Sequence, residues 1–409
     1  MTLRRKIEQE IAAQGPIPFS RYMELCLYDP EFGYYSRNAE QFGKAGDFYT
    51  SSDVHAVFGR LMARQFEEMW RILGKPKEIE VLELGPGRGL FAQDVLDWSS
   101  KKFPEFFNAL HYSLMEQSPV LRDRLRTTLS IHLEKEKISI LDSPAPEGTA
   151  ARRRNNAGPA ARPGLKVESG KTPKEGRKVP RTKSGATPLI IFANEFFDAL
   201  PVEILSSQGS LHLAEDLSET WAPSSGEALE FLDRYGVHPD PSERLEVPLI
   251  AQTYACEIAS IVQRGFLIAI DYGYTREEQL AGHHRGTLMT YRQHSAGMNP
   301  YQAPGQQDIT AHVNFTGLAA ALKSRGLSPH PLMTQSQFLL GIGESNQFAE
   351  AFEECRQPQE RAKVALQLKH LITPEGMGES FRVLVASKAV EAADVSTLAG
   401  LSFGRARRD

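Results

Sequence analysis

Three short stretches hold residues whose types and spacing can do chemistry together. The first is VLELGPGRG, residues 81–89, in which Gly85, Gly87 and Gly89 follow an apolar run and Glu83 stands just before them. Glycines at that spacing allow a tight turn and let a ligand lie against the backbone. The helix that follows offers unpaired N–H groups and partial positive charge at its start. The second is Glu116, ending the next apolar stretch, where a carboxylate can accept hydrogen bonds from both hydroxyls of an adenosine ribose. The third is ANEFFDALPVE, which sets Asn194, Glu195 and Asp198 just past another apolar run. Two carboxylates so placed can hold a cation through bidentate, charge-assisted bonds, the geometry that suits a guanidinium, or serve as a general base.

Each reading has a plainer counterpart. GPGRG also serves as a bare strand–helix connection, Glu116 as a solvated acid, and Asp198 as the cap of a following helix with Asn194 fixing the turn. A ribose-binding acid does not separate a nicotinamide cofactor from S-adenosylmethionine. The turn itself favours the second: nicotinamide enzymes usually carry G-x-G-x-x-G, whereas this chain reads G-x-G-x-G. An acid at Glu83 suits the cationic amino-acid end of S-adenosylmethionine and repels a pyrophosphate. Asp47, Thr50 and Ser51 in GDFYTSSD can reach that same end, or simply form a turn. Asp271, ending the apolar LIAIDYG, points to the same edge. His312 in DITAHVNF is a candidate base and equally a structural histidine, with Asp308 read as a helix cap and Thr310 nearby.

What must position these groups is a regular alternation of apolar strands and helical segments. Strands are predicted over 79–84, 112–116, 138–141, 189–193 and GFLIAIDYG, with helices between them, a pattern that calls for a parallel sheet with right-handed crossovers. GESFRVLVASKA reads as a last strand, in an antiparallel hairpin at one edge. Residues 1–75 read as a helical N-terminal region with a Gly-rich loop, and 76–409 as one Rossmann-like α/β domain. That domain is interrupted by a basic insertion over about 143–187 and by a hairpin and helix-rich excursion over about 203–248.

Composition limits the alternatives. The 409 residues are 41% hydrophobic and 24% charged, enough to bury a core, and no apolar run approaches the length of a membrane span. Cys26, Cys256 and Cys355 form no metal-spaced pair, so neither a disulfide framework nor a metal site is expected. The stretch from Ala151 to Thr187 holds eleven Lys or Arg against two acids, a net of +9, leaving −13 on the rest to reach the overall −4. It lacks aromatics and amphipathic period, and reads as a disordered surface insertion and not as a nucleic-acid-binding element. The N-terminus, MTLRRKIEQEIAAQ, carries Glu8 and Glu10 and no apolar core, so the reading is a cytoplasmic protein without a signal peptide or a mitochondrial presequence.

Further stretches add specificity: GPIPFSRYMELCLYDPEFGYYS, FGKAGDFYTSSDV, NEFFDALPV, RGTLMTYRQH and TQSQFLLGIG join VLELGPGRG, IDYG and DITAHVNF over roughly residues 15 to 345. Together they resemble the MidA-like methyltransferase family, which includes a mitochondrial complex I assembly factor that methylates an arginine of a complex I subunit. The resemblance implies a class I methyltransferase fold, a mostly parallel seven-stranded sheet flanked by helices, with a helical N-terminal region and an inserted helical lobe. It implies S-adenosylmethionine as cofactor, bound by Gly85, Gly87, Gly89 and Glu116, with GDFYT closing over it and NEFFDALP facing the substrate. The partner it implies is a protein carrying an arginine, in the first instance a complex I subunit, and it leaves a homodimer open. On this reading Glu195 grips the guanidinium, Asp198 or Asp271 assists, and His312 takes the proton. The long basic insertion is the main departure from the family pattern. A docking protein without catalysis and a methyltransferase of small molecules share the same fold; the first predicts an altered glycine turn, which here is intact.

Overall fold

The computed structural model describes residues 2–36, 56–142, 187–292, 295–297, 299–344 and 346–403. Asp47, Thr50 and Ser51, and the basic insertion as far as residue 186, lie outside them. Side-chain alternation builds the central layer. In the strand Gly265–Tyr274, Phe266, Ile268 and Ile270 enter one core while Leu267 and Ala269 enter another, as a strand buried on both faces requires. Seven strand positions make the main path of the sheet: β1 (Ile79–Leu84), β2 (Leu110–Glu116), β3 (Ile138–Asp142), β4 (Leu189–Asn194), β5 (Gly265–Tyr274), β6 (the short pieces Ser328–Pro329 and Met333–Thr334) and β7 (Phe381–Lys388), and the two-residue strand Val313–Asn314 pairs parallel to the end of β5. Their spatial order is 3-2-1-4-5-7-6, with β1 to β5 parallel and β7 antiparallel to both its neighbours. The antiparallel edge expected from the last apolar run is therefore present.

One face of the sheet is covered by the helices Ala56–Ile72 and Leu90–Lys102, the other by Leu249–Ile261 and Phe315–Ser324. Aromatic rings fix the first face: Phe91 stacks on Phe192 of β4 with ring centres 4.5 Å apart, and Phe66 meets the same ring edge-on at 5.7 Å. No described helix is long and apolar enough to cross a membrane.

The excursion between β4 and β5 holds more strand than helix. Its expected hairpin, Glu203–Ser206 with Gly209–Leu213, is the centre of a five-stranded antiparallel sheet. Glu219–Ala222 and Leu245–Val247 belong to that sheet, and so does Ile17–Pro18 from the N-terminal region. The helix Gly226–Tyr235 packs Phe231 and Leu232 against Leu205 and Val247. The N-terminal helices Leu3–Gln14 and Phe19–Tyr28 share one apolar core with Val202 and with Ile204, Leu211 and Leu213 of this sheet. Tyr22 donates to the carbonyl of Pro300 at 2.7 Å and Tyr28 to that of Ala199 at 2.9 Å, which ties these helices to the mouth of β4.

Candidate active site

The strand order reverses between β1 and β4, and at such a point the loops leaving the carboxyl ends turn to opposite faces and open a crevice. A cavity of about 380 Å³ lies there. It is lined by Glu83, Gly85 and Gly87 from the end of β1 and its turn, Glu116 from β2, and Asn194, Glu195 and Asp198 after β4. His312 joins them from the distant DITAHVNF stretch. Of the candidate groups that lie among the described residues, Glu83, Gly85, Gly87, Glu116, Asn194, Glu195, Asp198 and His312 line this cavity, and Gly89 and Asp271 do not.

The turn after β1 depends on its glycines. Gly85, Gly87 and Gly89 have φ of 63°, 53° and 78°, the left-handed region where a side chain strains the backbone. A Cβ on Gly85 would come within 2.9 Å of the Phe196 ring, and one on Gly89 within 2.6 Å of Leu125. Gly89 forms the start of the helix Leu90–Lys102, which has no side-chain cap, so its first N–H groups are open to a ligand or to water.

Two buried acids stand beside the turn. Glu116 accepts from the backbone N–H of Ser118 at 2.7 Å and also from those of Gln117 and Gly87. Burial outweighs these bonds and pushes its carboxyl up to about 7. Glu83 accepts from the Tyr112 hydroxyl at 2.8 Å, and burial pushes it up to about 8. Folded Glu83 therefore keeps a proton that an unfolded glutamate, at 4.5, has already released. Its stabilising contribution is complete below about pH 4.5 and is lost as pH rises through about 8. The Tm of the wild type relative to Glu83→Gln should accordingly fall across about pH 5 to 8 in thermal melts. A difference that stays flat or grows with pH would count against protonated Glu83.

The loop after β4 is shaped by Asp271. Its Oδ2 accepts from the amides of Phe196, Phe197 and Asp198 at 3.1, 2.9 and 3.3 Å, and its Oδ1 from Tyr272 at 2.9 Å. No helix follows β4, so Asp198 caps nothing; the chain turns back under the pull of Asp271, and Asp198 faces the cavity. Asn194 donates to Glu195 Oε1 at 3.1 Å, which orients that side chain, and Glu195 holds φ of 50°. Asp271→Ala should lower the unfolding free energy by about 2–4 kcal/mol, because buried amide donors lose their acceptor. Asp271→Asn keeps an acceptor and should lose less; a urea midpoint unchanged in the Ala variant would refute this role.

Asp308 corrects the sequence reading. It is 1% exposed, sits in the strand Asp308–Thr310 and caps no helix; Asn314 caps the next helix by accepting from Gly317 at 2.9 Å. Asp308 lines the cavity with Thr310 and accepts from the Tyr35 hydroxyl at 3.0 Å. Tyr28, Tyr35, Tyr272 and Tyr291 add aromatic groups to the wall. None of these aromatic groups was singled out as a site residue, although all lie within the stretches that carry the resemblance. Among the described residues, the lining holds five carboxyls, Glu83, Glu116, Glu195, Asp198 and Asp308, against one arginine, Arg88. Burial, followed by the nearby Asp271, Glu195 and Asp308, holds Asp198 well above the usual carboxylate range. His312 is pushed the other way, down to about 4, by burial and by His284.

Residues 61–333 match a family described as S-adenosyl-L-methionine-dependent methyltransferases. The zebrafish (Danio rerio) mitochondrial protein arginine methyltransferase NDUFAF7 is 27% identical over 93% of this chain and 86% of its own. The human protein of that name is 26% identical over 92% and 81%. A crystal structure of a COG1565 superfamily member from Burkholderia thailandensis, bound to S-adenosyl-homocysteine, superposes with a TM-score of 0.73 at 25% identity. It covers 97% of this chain and 94% of that one. These findings decide between the two cofactors that Glu116 alone left open. The chain belongs to this family of methyltransferases, and its cofactor is S-adenosylmethionine.

Proposed function

We infer that the enzyme methylates an arginine side chain of a protein, with Glu195 and Asp198 receiving the guanidinium. The observation that carries this reading is the acidity of the cavity lining, whose buried carboxyls ionise fully when a cation sits among them. Five carboxyls line it among the described residues, and burial together with the neighbouring acids raises Asp198. A cation seated among them relieves that repulsion, and a planar, permanently charged guanidinium suits two neighbouring carboxylates. The relatives named protein arginine methyltransferases support the same reading.

The other end of the cavity fits the cofactor. The glycine turn leaves no Cβ at three positions beside an uncapped helix start, Glu116 lies against Gly87 to take the ribose hydroxyls, and Glu83, protonated in the free protein, gives up its proton to face the cationic amino-acid end. Bound there, S-adenosylmethionine supplies an electrophilic methyl group on a sulfonium. The chain's own residues do the remainder. Asn194 and the loop gathered by Asp271 hold Glu195 and Asp198 in place, and these carboxylates orient one guanidinium nitrogen. Their charge also draws the positive charge toward the bonded nitrogens, which leaves the lone pair of the remaining one more available. Tyr28, Tyr35 and Tyr272 keep water from the acceptor. Neutral His312 can accept the released proton.

The test is incubation with a labelled methyl donor and an arginine-containing peptide, a complex I subunit fragment being the first choice, followed by fragmentation mass spectrometry. Label on arginine is expected. Label confined to lysine or to small molecules would overturn the reading.

A further inference from the structure

The cavity wall has a second imidazole behind it. His312 lines the cavity, and its Nδ1 stands 3.2 Å from Nδ1 of His284, which is outside the lining. At that distance one ring donates and the other accepts. Each ring is also stacked: His312 on Tyr272, 6.0 Å between centres and 14° between planes, and His284 on Tyr274 at 5.3 Å and 12°. The His312 amide donates to Thr287 Oγ1 at 3.0 Å, and that hydroxyl donates to buried Glu246 at 3.0 Å. His284 holds φ of 53°, a conformation rare outside glycine that the surrounding structure must sustain. On the cavity side Tyr272 faces Glu195, Asp198 and Asp271. Toward the surface His284 faces Glu278, Arg382 and His283.

We propose that His312 and His284 form a two-imidazole relay that carries the proton released by each methyl transfer from the cavity to solvent. This rests on the arginine reading, because a new N–C bond on a guanidinium nitrogen leaves one N–H proton to be lost. That proton passes to the Glu195 and Asp198 carboxylates and then to Nε2 of His312. The Nδ1–H bond of His312 breaks as one forms on Nδ1 of His284, and His284 gives up its Nε2 proton to water. Exchange with water resets the tautomers before the next turnover. Because His312 is uncharged near neutral pH, the proton does not rest there.

The test is His284→Gln in the full chain, assayed with the labelled donor and an arginine peptide. Gln keeps polarity and reach, yet cannot take a proton at one atom and release it at another. Its kcat should fall at least ~10-fold, with the peptide KM and the affinity for S-adenosyl-homocysteine unchanged, and free imidazole should restore part of the rate. An unchanged kcat, a loss that travels with KM or ligand affinity, or a loss that imidazole does not touch overturns the relay. If the wild type methylates no arginine peptide, the arginine reading falls first. The pair is then read by 15N NMR, where a shared proton ties the two titrations together and independent titration overturns it.

Discussion

Glu195→Gln is expected to lower kcat on an arginine peptide by ~10²–10³-fold while S-adenosyl-homocysteine binds within about twofold of wild type. The substitution removes one charge and no volume. Asn194 would still have an oxygen to donate to, and the backbone at φ 50° is not asked to change. The cofactor end of the cavity, with Glu83, Glu116 and the glycine turn, is built from other strands. What disappears is a charged partner for the guanidinium in a largely buried site, where water replaces it poorly; a thousandfold is about 4 kcal/mol of transition-state stabilisation. Steady-state kinetics and calorimetry on one preparation separate the possibilities. Equal kcat would remove Glu195 from the substrate site, and a parallel loss of ligand affinity would move it to the cofactor.

Gly85→Val should do the converse, weakening S-adenosyl-homocysteine binding by at least ~100-fold in a protein that remains folded. A left-handed φ costs an L-residue roughly 1–2 kcal/mol, and a β-branched one more. The new Cβ would also press on Phe196 at 2.9 Å. That ring has little room to retreat, since Phe197 and Tyr254 pack against it with centres 5.3 and 5.2 Å away. The turn must shift, and with it Gly87, whose N–H bonds Glu116. Gly74→Ala is the control: its φ is 84°, but nothing lies within 4 Å of the added carbon. It should lose only backbone strain, about 1 kcal/mol, and none of the ligand affinity. Equal loss of binding in both variants would point to general destabilisation.

The sheet and its first turn were legible because their determinants are local. Apolar runs of strand length, glycines at 85, 87 and 89, and acids at strand ends need only neighbours in sequence to be read. Groups defined by distant partners were not. Asp308 looks like a helix cap because DIT precedes a helical stretch, and only pairing with Met289–Arg292 makes it a strand that faces the cavity. Asp271 was visible as a strand-end acid, but its hold on residues 196–198 spans more than seventy positions and leaves no local mark. The inserted sheet was underread for the same reason: a strand of two residues, Ile17–Pro18, has no periodicity to detect and exists through Leu213 and His212.

That two-residue strand also sets the order in which the molecule can come together during synthesis. The N-terminal helices leave the ribosome first, yet their partners, the sheet around residues 203–213 and the carbonyl of Pro300, are made much later. Tyr28 and Tyr35, which wall the cavity, wait with them. Contacts so distant in sequence form late and slowly. A nascent chain that has completed β1 and β2 already carries the glycine turn and Glu116, but its methyl-transfer chamber stays unroofed until Asp308 and His312 have been added. Competence therefore arrives in one late step, once residue 312 has been added.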